Sequence, residues 1–247
     1  GHMKVPGLWE LNGYGDPLYV NIGYACRNQF KNNPPEVPVE NNHVGSYRRE
    51  INIPRNWNGK QIMIHFGSVT SNIYLWVNGQ YVGYSEDSKL EAEFDITRYV
   101  KPGKNLIAFQ TFRWCDGTYL EDQDFFRFSG VGRDCYLYAR EKKHIQDIRI
   151  TPDLDAQYKD GTLQIDLQMS ASAGGTSVQL DLLDAKGDII KTETLKGGNK
   201  VNTTFSVADP QKWTAEIPNL YTVLATLKES NGKTIEAISI KTGFRKV

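Results

Sequence analysis

Apolar and polar residues alternate with a period of two over most of this chain. Residues 61–66 read Gln-Ile-Met-Ile-His-Phe, and 72–77 read Asn-Ile-Tyr-Leu-Trp-Val. Such alternation predicts half-buried β-strands. Asn78-Gly79 follows the second run and precedes another strand-like segment, 80–84. Asn-Gly between apolar runs predicts a two-residue type I′ hairpin, because both residues tolerate positive φ. Further strands are expected at 47–53, ending before Pro54, and at 94–96. Pro102-Gly103 turns the chain into 105–112, and 135–139 closes the series. Eight or so short strands at this spacing point to a jelly roll. Tyr74 and Trp76 alternate, and the reading places Trp76 in the core.

A second alternating series begins near His144. It runs through 145–150, 162–168 and 177–183, turns at Ala185-Lys186-Gly187-Asp188, and continues at 221–227 and 235–240 across Asn231-Gly232. About seven strands in this span fit an immunoglobulin-like sandwich. No segment reads as a long helix. The expectation is all-β: a jelly-roll domain over residues 4–142 and a sandwich over 143–247. Gly1-His2-Met3 has the look of an expression scar.

At 247 residues the chain can bury one large or two modest cores. The 29 basic and 29 acidic residues cancel, which argues against a nucleic-acid partner. No apolar run approaches the roughly 20 residues that span a bilayer, so no membrane partner is expected. A periplasmic and a cytoplasmic setting both stay open. Cys26, Cys115 and Cys135 have no CxxC spacing, and His43, His65 and His144 share no spacing. Zinc is therefore not expected, and the thiols read as isolated and buried. P-loop, GxSxG and HExxH patterns are absent.

The candidate chemistry is concentrated just after the strand at 105–112. Arg113-Trp114-Cys115-Asp116-Gly117-Thr118-Tyr119-Leu120-Glu121-Asp122-Gln123-Asp124 runs on through Arg127, Phe128 and Arg133 to Asp134. Aromatic faces cover sugar C–H surfaces, while carboxylates and arginines take hydroxyls. A strand opening into such a loop is a common place for binding residues. Glu121, Asp122 and Asp124 are contiguous, whereas a retaining glycosidase needs carboxylates about 5 Å apart across the scissile bond. Pairing with Arg113, Arg127 and Arg133 is the expected role for them. On the residues alone, Asp116 fits either an Asx-turn or a ligand contact.

This stretch resembles the sugar-binding domain of glycoside hydrolase family 2, specifically the large beta-galactosidases. The resemblance extends to Gly13-Tyr14-Gly15-Asp16-Pro17-Leu18-Tyr19-Val20-Asn21, to residues 75–88 and to 209–221. It implies a galactose-binding-like jelly roll, then an immunoglobulin-like domain, then a catalytic (β/α)8 barrel lying beyond this chain. No catalytic residue is then expected here. The domains would buttress the barrel and contribute to the galactose subsite of an enzyme that hydrolyses terminal β-galactosides. Asp116 would contact galactosyl hydroxyls and a sodium ion once the barrel is present. Magnesium is implied for the intact enzyme, and no cofactor for this chain alone. Thr70 stands where the family has a side-chain amide on the sugar; its hydroxyl has shorter reach, and Asn72 could substitute. A galactoside, the barrel and further copies of the enzyme are the implied partners. A fragment of a beta-glucuronidase or beta-mannosidase is an alternative. So is an independent carbohydrate-binding module, with Trp9, Trp57, Tyr81 or Tyr84 as its platform. Trp213, within 209–221, is expected to fill a pocket of the second domain.

Overall fold

A computed structural model describes residues 1–21, 23–24, 33–121, 124–170 and 173–246. Cys26 and Asp122 lie outside the described residues. The chain is all-β and divides into two compact units, Gly1–Arg140 and Glu141–Val247.

The first unit contains β1 (Gly7–Leu8), β2 (Leu18–Val20), β3 (Val44–Ile53), β4 (Gln61–Phe66), β5 (Val69–Thr70) and β6 (Asn72–Val77). It continues with β7 (Gln80–Glu86), β8 (Ala92–Asp95), β9 (Gly103–Phe112), β10 (Phe125–Arg127), β11 (Gly130–Val131) and β12 (Cys135–Arg140). Two antiparallel sheets, ordered β3-β9-β6-β7 and β12-β4-β8, form the jelly roll. The small three-stranded sheet β1-β11-β5 and the pair β10-β2 add to it. Alternation sets which residues enter the core: Ile62, Ile64 and Phe66 from β4 meet Ile73, Leu75 and Val77 from β6 and Ile107 and Phe109 from β9.

Asn78 and Gly79 both take positive φ, 51° and 79°, as the expected turn requires. The Asn78 side chain also holds the turn down. Its Nδ2 donates to Tyr99 O at 2.8 Å and to Asn105 Oδ1 at 2.9 Å, and its Oδ1 accepts the Leu106 N–H at 2.9 Å.

Trp76 corrects the sequence reading. The buried phase of β6 is Ile73, Leu75 and Val77, so Tyr74 and Trp76 project from the opposite face and are only half-buried. There they join Tyr84 and Tyr81: Tyr74 lies 4.6 Å from Tyr84 between ring centroids, and Trp76 5.7 Å from Tyr81.

The second unit comprises β13 (Ile145–Leu154), β14 (Gly161–Met169), β15 (Thr176–Leu183), β16 (Ile189–Lys196), β17 (Lys200–Val207), β18 (Tyr221–Glu229) and β19 (Thr234–Thr242). The sheets β13-β14-β17 and β16-β15-β18-β19 make the seven-stranded sandwich. Their inner faces bring together Leu163, Ile165 and Leu167, Val178, Leu180 and Leu182, and Val223, Ala225 and Leu227. Phe205 and Phe244 are inaccessible within the same core. Trp213 donates its backbone N–H to Phe244 O at 2.9 Å, lies under the Arg245 guanidinium and packs against Gly243, in keeping with a packing role.

Candidate functional site

The loop after β9 is held from several sides. Arg113 N–H donates to His43 O at 2.8 Å. The Asn42 side chain then extends the ladder by one rung: its Oδ1 accepts the Trp114 N–H at 2.9 Å and its Nδ2 donates to Trp114 O at 3.0 Å. Trp114 and Cys115 are buried. The Cys115 Sγ donates to Ser71 O at 3.6 Å, which ties the loop to the chain between β5 and β6.

Asp116 begins a single 3-10 turn, Asp116–Tyr119. Thr118 closes that turn by accepting the Cys115 N–H at 3.0 Å through its Oγ1. Asp116 is thereby left exposed on the leading position of the turn. A ligand oxygen of Asp116, one of Glu86 and the Cys115 Sγ lie within 4.8 Å of one another. Glu86 reaches this point because β7 pairs with β6 in the register Asn72↔Glu86. Its Oε2 accepts the Tyr84 hydroxyl at 2.8 Å, and burial followed by that bond raises the Tyr84 pKa. Sequence reasoning missed Glu86. It lies thirty residues before Asp116, and only strand register joins them.

The donor set is mixed. Two carboxylates suit hard cations such as sodium or magnesium. The thiol does not: burial pushes the Cys115 pKa up and keeps it protonated. Asp116 and Glu86 thus fit part of a hard-cation shell, and the remaining ligands would have to come from elsewhere.

Thr70 is half-buried at the end of β5, opposite Gly130 of β11. Its carbonyl accepts the Thr111 hydroxyl at 3.0 Å. Thr70 lines a small cavity together with Ser88, Arg113, Trp114, Glu121 and Arg127. Asn72 is no substitute for it: the side chain is buried, with Oδ1 accepting the Phe112 N–H at 2.9 Å.

The arginines of the loop engage backbone carbonyls. Arg113 Nη2 donates to Asp16 O at 2.9 Å, Arg127 Nη1 to Glu121 O at 2.7 Å, and Arg133 Nη1 to Lys89 O at 2.8 Å. Glu121 accepts the Ser88 N–H at 2.8 Å, and Asp124 accepts the Tyr19 hydroxyl. Glu121 and Asp124 therefore tie the loop to its neighbours. Of the aromatic residues named as a platform, Trp9 is buried and Trp57 packs against the core, while Tyr81 and Tyr84 are exposed.

Comparison with known proteins identifies the family of both domains. The family described as "Glycosyl hydrolases family 2, sugar binding domain" matches residues 2–141, and "Glycosyl hydrolases family 2" matches 143–245. A protein named beta-galactosidase from Photobacterium profundum is 40% identical over 258 residues, covering 100% of this chain and 24% of that relative. Another of that name, from Priestia megaterium, is 38% identical over 253 residues, covering 98% of this chain and again 24% of the relative. This chain thus spans about a quarter of the length of these relatives. In fold it resembles the solved structure of Bacteroides uniformis beta-glucuronidase 2, with a TM-score of 0.74 and 22% identity, over 83% of this chain and 27% of that one.

Proposed function

Because this chain belongs to glycoside hydrolase family 2 in both of its domains, we propose that it serves a retaining beta-galactosidase acting on terminal β-D-galactosides. The relatives named beta-galactosidase, 38–40% identical over nearly the whole chain, support the galactoside over a glucuronide or mannoside. The jelly roll supplies part of the galactose subsite, and the catalytic carboxylates lie outside these residues. The observation that carries this reading is the exposed Asp116 carboxylate, held at the head of a turn whose backbone is fixed at Asn42 and Ser71. A carboxylate held in place can accept two sugar hydroxyls, or ligate sodium with Glu86 beside it. Bound sodium would supply a fixed positive charge for sugar oxygens. Thr70 is assigned the shorter hydroxyl contact. Magnesium, also a hard cation, would meet the same two carboxylates, Glu86 and Asp116, among the described residues.

The Glu86–Asp116 pair is close enough to invite a catalytic reading. Retaining hydrolysis also needs the sugar enclosed between the two groups, and Asp116 is exposed. The isolated chain should therefore show no turnover of a chromogenic β-galactoside. Turnover that survives repurification and disappears in Asp116→Asn would overturn this. In the full-length enzyme, Asp116→Asn should lower kcat/KM by roughly 10²-fold, about 2.7 kcal/mol of transition-state stabilisation. Melting of the isolated chain should not change. Loss of folding in the chain with retained activity in the full enzyme would make Asp116 a turn residue only.

The exposed Tyr81 and Tyr84 beside Tyr74 and Trp76 favour one second reading, a carbohydrate-binding face independent of the barrel. Galactose should bind the isolated chain at millimolar dissociation constants or weaker, since one wall buries little of a ligand. Tight calorimetric binding lost in Tyr81→Ala would establish the second reading instead.

A further inference from the structure

The two sides of the jelly roll differ. On one side β7 and β8 approach closely: a Cβ added to Gly83 would lie 3.0 Å from the Phe94 ring. On the other side the edge strands β3 and β12 flank an open groove of about 1620 Å³. Its floor is the core itself, formed by Ile64 and Phe66 of β4 and Ile107 and Phe109 of β9. Tyr47, Ile51 and Leu137, apolar positions of β3 and β12 that line the groove, are only partly buried. Both edges also carry unused backbone groups. His43 O accepts the Arg113 N–H, so by antiparallel alternation Ser46, Arg48 and Glu50 turn their N–H and C=O away from β9. Asp134 O accepts the Gly67 N–H, so Leu137 and Ala139 likewise turn theirs away from β4. Among the described residues no strand pairs with either edge. Tyr24 and Asn33, which flank residues 25–32, are anchored elsewhere. Tyr24 packs on Tyr119, and Asn33 bridges to Glu36, whose carbonyl accepts the Tyr119 hydroxyl. Tyr119 does not line the groove.

Long free edges over an apolar floor are normally covered. Size and shape select what covers these. The groove exceeds the roughly 300–1,000 Å³ of a small-molecule site, and rows of free N–H and C=O groups call for a backbone partner. A second copy could add its own β3 edge to edge. That strand is paired with β9 along its whole length, so it would extend the sheet and leave the floor open. A single extended segment can cover the floor and pair with an edge at once. This chain spans about a quarter of the length of its relatives, and Gly1, His2 and Met3 line the groove. We propose that a segment preceding residue 1 in the full-length protein lies in this groove as a further strand between β3 and β12. Its apolar side chains, at every second position, would rest on Phe66, Ile107 and Phe109. The inference does not depend on the sugar bound at Asp116.

The test compares this chain with a form extended at its N-terminus by the residues that precede it in the full-length protein. Cys135 lines the groove and serves as a probe, with every other cysteine replaced by serine. The extension should slow Cys135 labelling by a disulfide reagent roughly tenfold or more. Amide exchange should slow by a similar factor at Ser46, Arg48 and Glu50 or at Leu137 and Ala139, according to the edge that pairs. The jelly-roll transition should rise by roughly 5 °C or more. Ile51→Gln, which places an amide on the groove wall, should reverse much of the slowing in the extended form. Should the extended form not fold, labelling of the full-length enzyme against this chain decides the matter. Equal labelling and exchange in the long and short forms would overturn the proposal. So would protection that this chain gains by itself as its concentration rises, which would make a second copy the occupant. A full-length structure with the groove empty, or filled by a segment from beyond Val247, would overturn it as well.

Discussion

Replacing Asn42 with alanine removes the rung that holds Trp114, two residues before Asp116. Two hydrogen bonds are lost, Trp114 N–H to Asn42 Oδ1 at 2.9 Å and Asn42 Nδ2 to Trp114 O at 3.0 Å. A net hydrogen bond contributes about 1 kcal/mol, which gives about 2 kcal/mol for the pair. Asn42 is half-buried, so water can restore part of this, whereas Trp114 is 5% exposed and its backbone is poorly placed for rescue. For a unit of this size, about 2 kcal/mol lowers the midpoint by roughly 7 °C. Calorimetry of the chain resolves the units, and only the transition of the first should move. Asn42→Asp keeps the acceptor but sets a carboxylate oxygen against Trp114 O, so it should recover none of the loss. In the full-length enzyme, Asn42→Ala should also lower kcat/KM, because Asp116 loses its fixed place. A shift under about 2 °C, or full stability in Asn42→Asp, would refute the reasoning by showing that solvent or another group satisfies Trp114.

Phe205→Ala should destabilise the second unit alone by about 3–5 kcal/mol, read by urea unfolding, because the side chain is fully inaccessible in that core. Burial pushes the Cys135 thiol up to about 11. At pH 8 its thiolate fraction, and so its labelling rate with a disulfide reagent in a Cys26→Ser, Cys115→Ser background, should fall roughly 10²-fold below a free thiol and climb until pH 11. A rate that levels off near pH 9 would contradict that environment.

Much of this protein was legible from residues alone, because alternation reports how each strand divides its two faces. β4, β14, β15 and β18 are read directly from that period. Asn78-Gly79 announced its hairpin because the conformation it needs is local. The string from Arg113 to Asp134, with residues 75–88 and 209–221, pointed to the family that both domains match. Where alternation is weak, the reading stopped. β16 is exposed along most of its length, and β17 alternates only partly, so neither was marked. β2 pairs with β10 over a separation of more than a hundred residues, for which the local pattern holds no signal.

The site shows the same division. The sequence singled out Asp116 and gave its chemistry. Only tertiary structure set Glu86 beside it, through the pairing of β6 with β7 and the contact of Cys115 with Ser71. Only tertiary structure gathered Ser88, Arg113 and Trp114 around one cavity. It also decided that Trp76 faces out, since alternation fixes that neighbours point opposite ways but not which way is inward. That choice belongs to the partner sheet, whose apolar face must be covered.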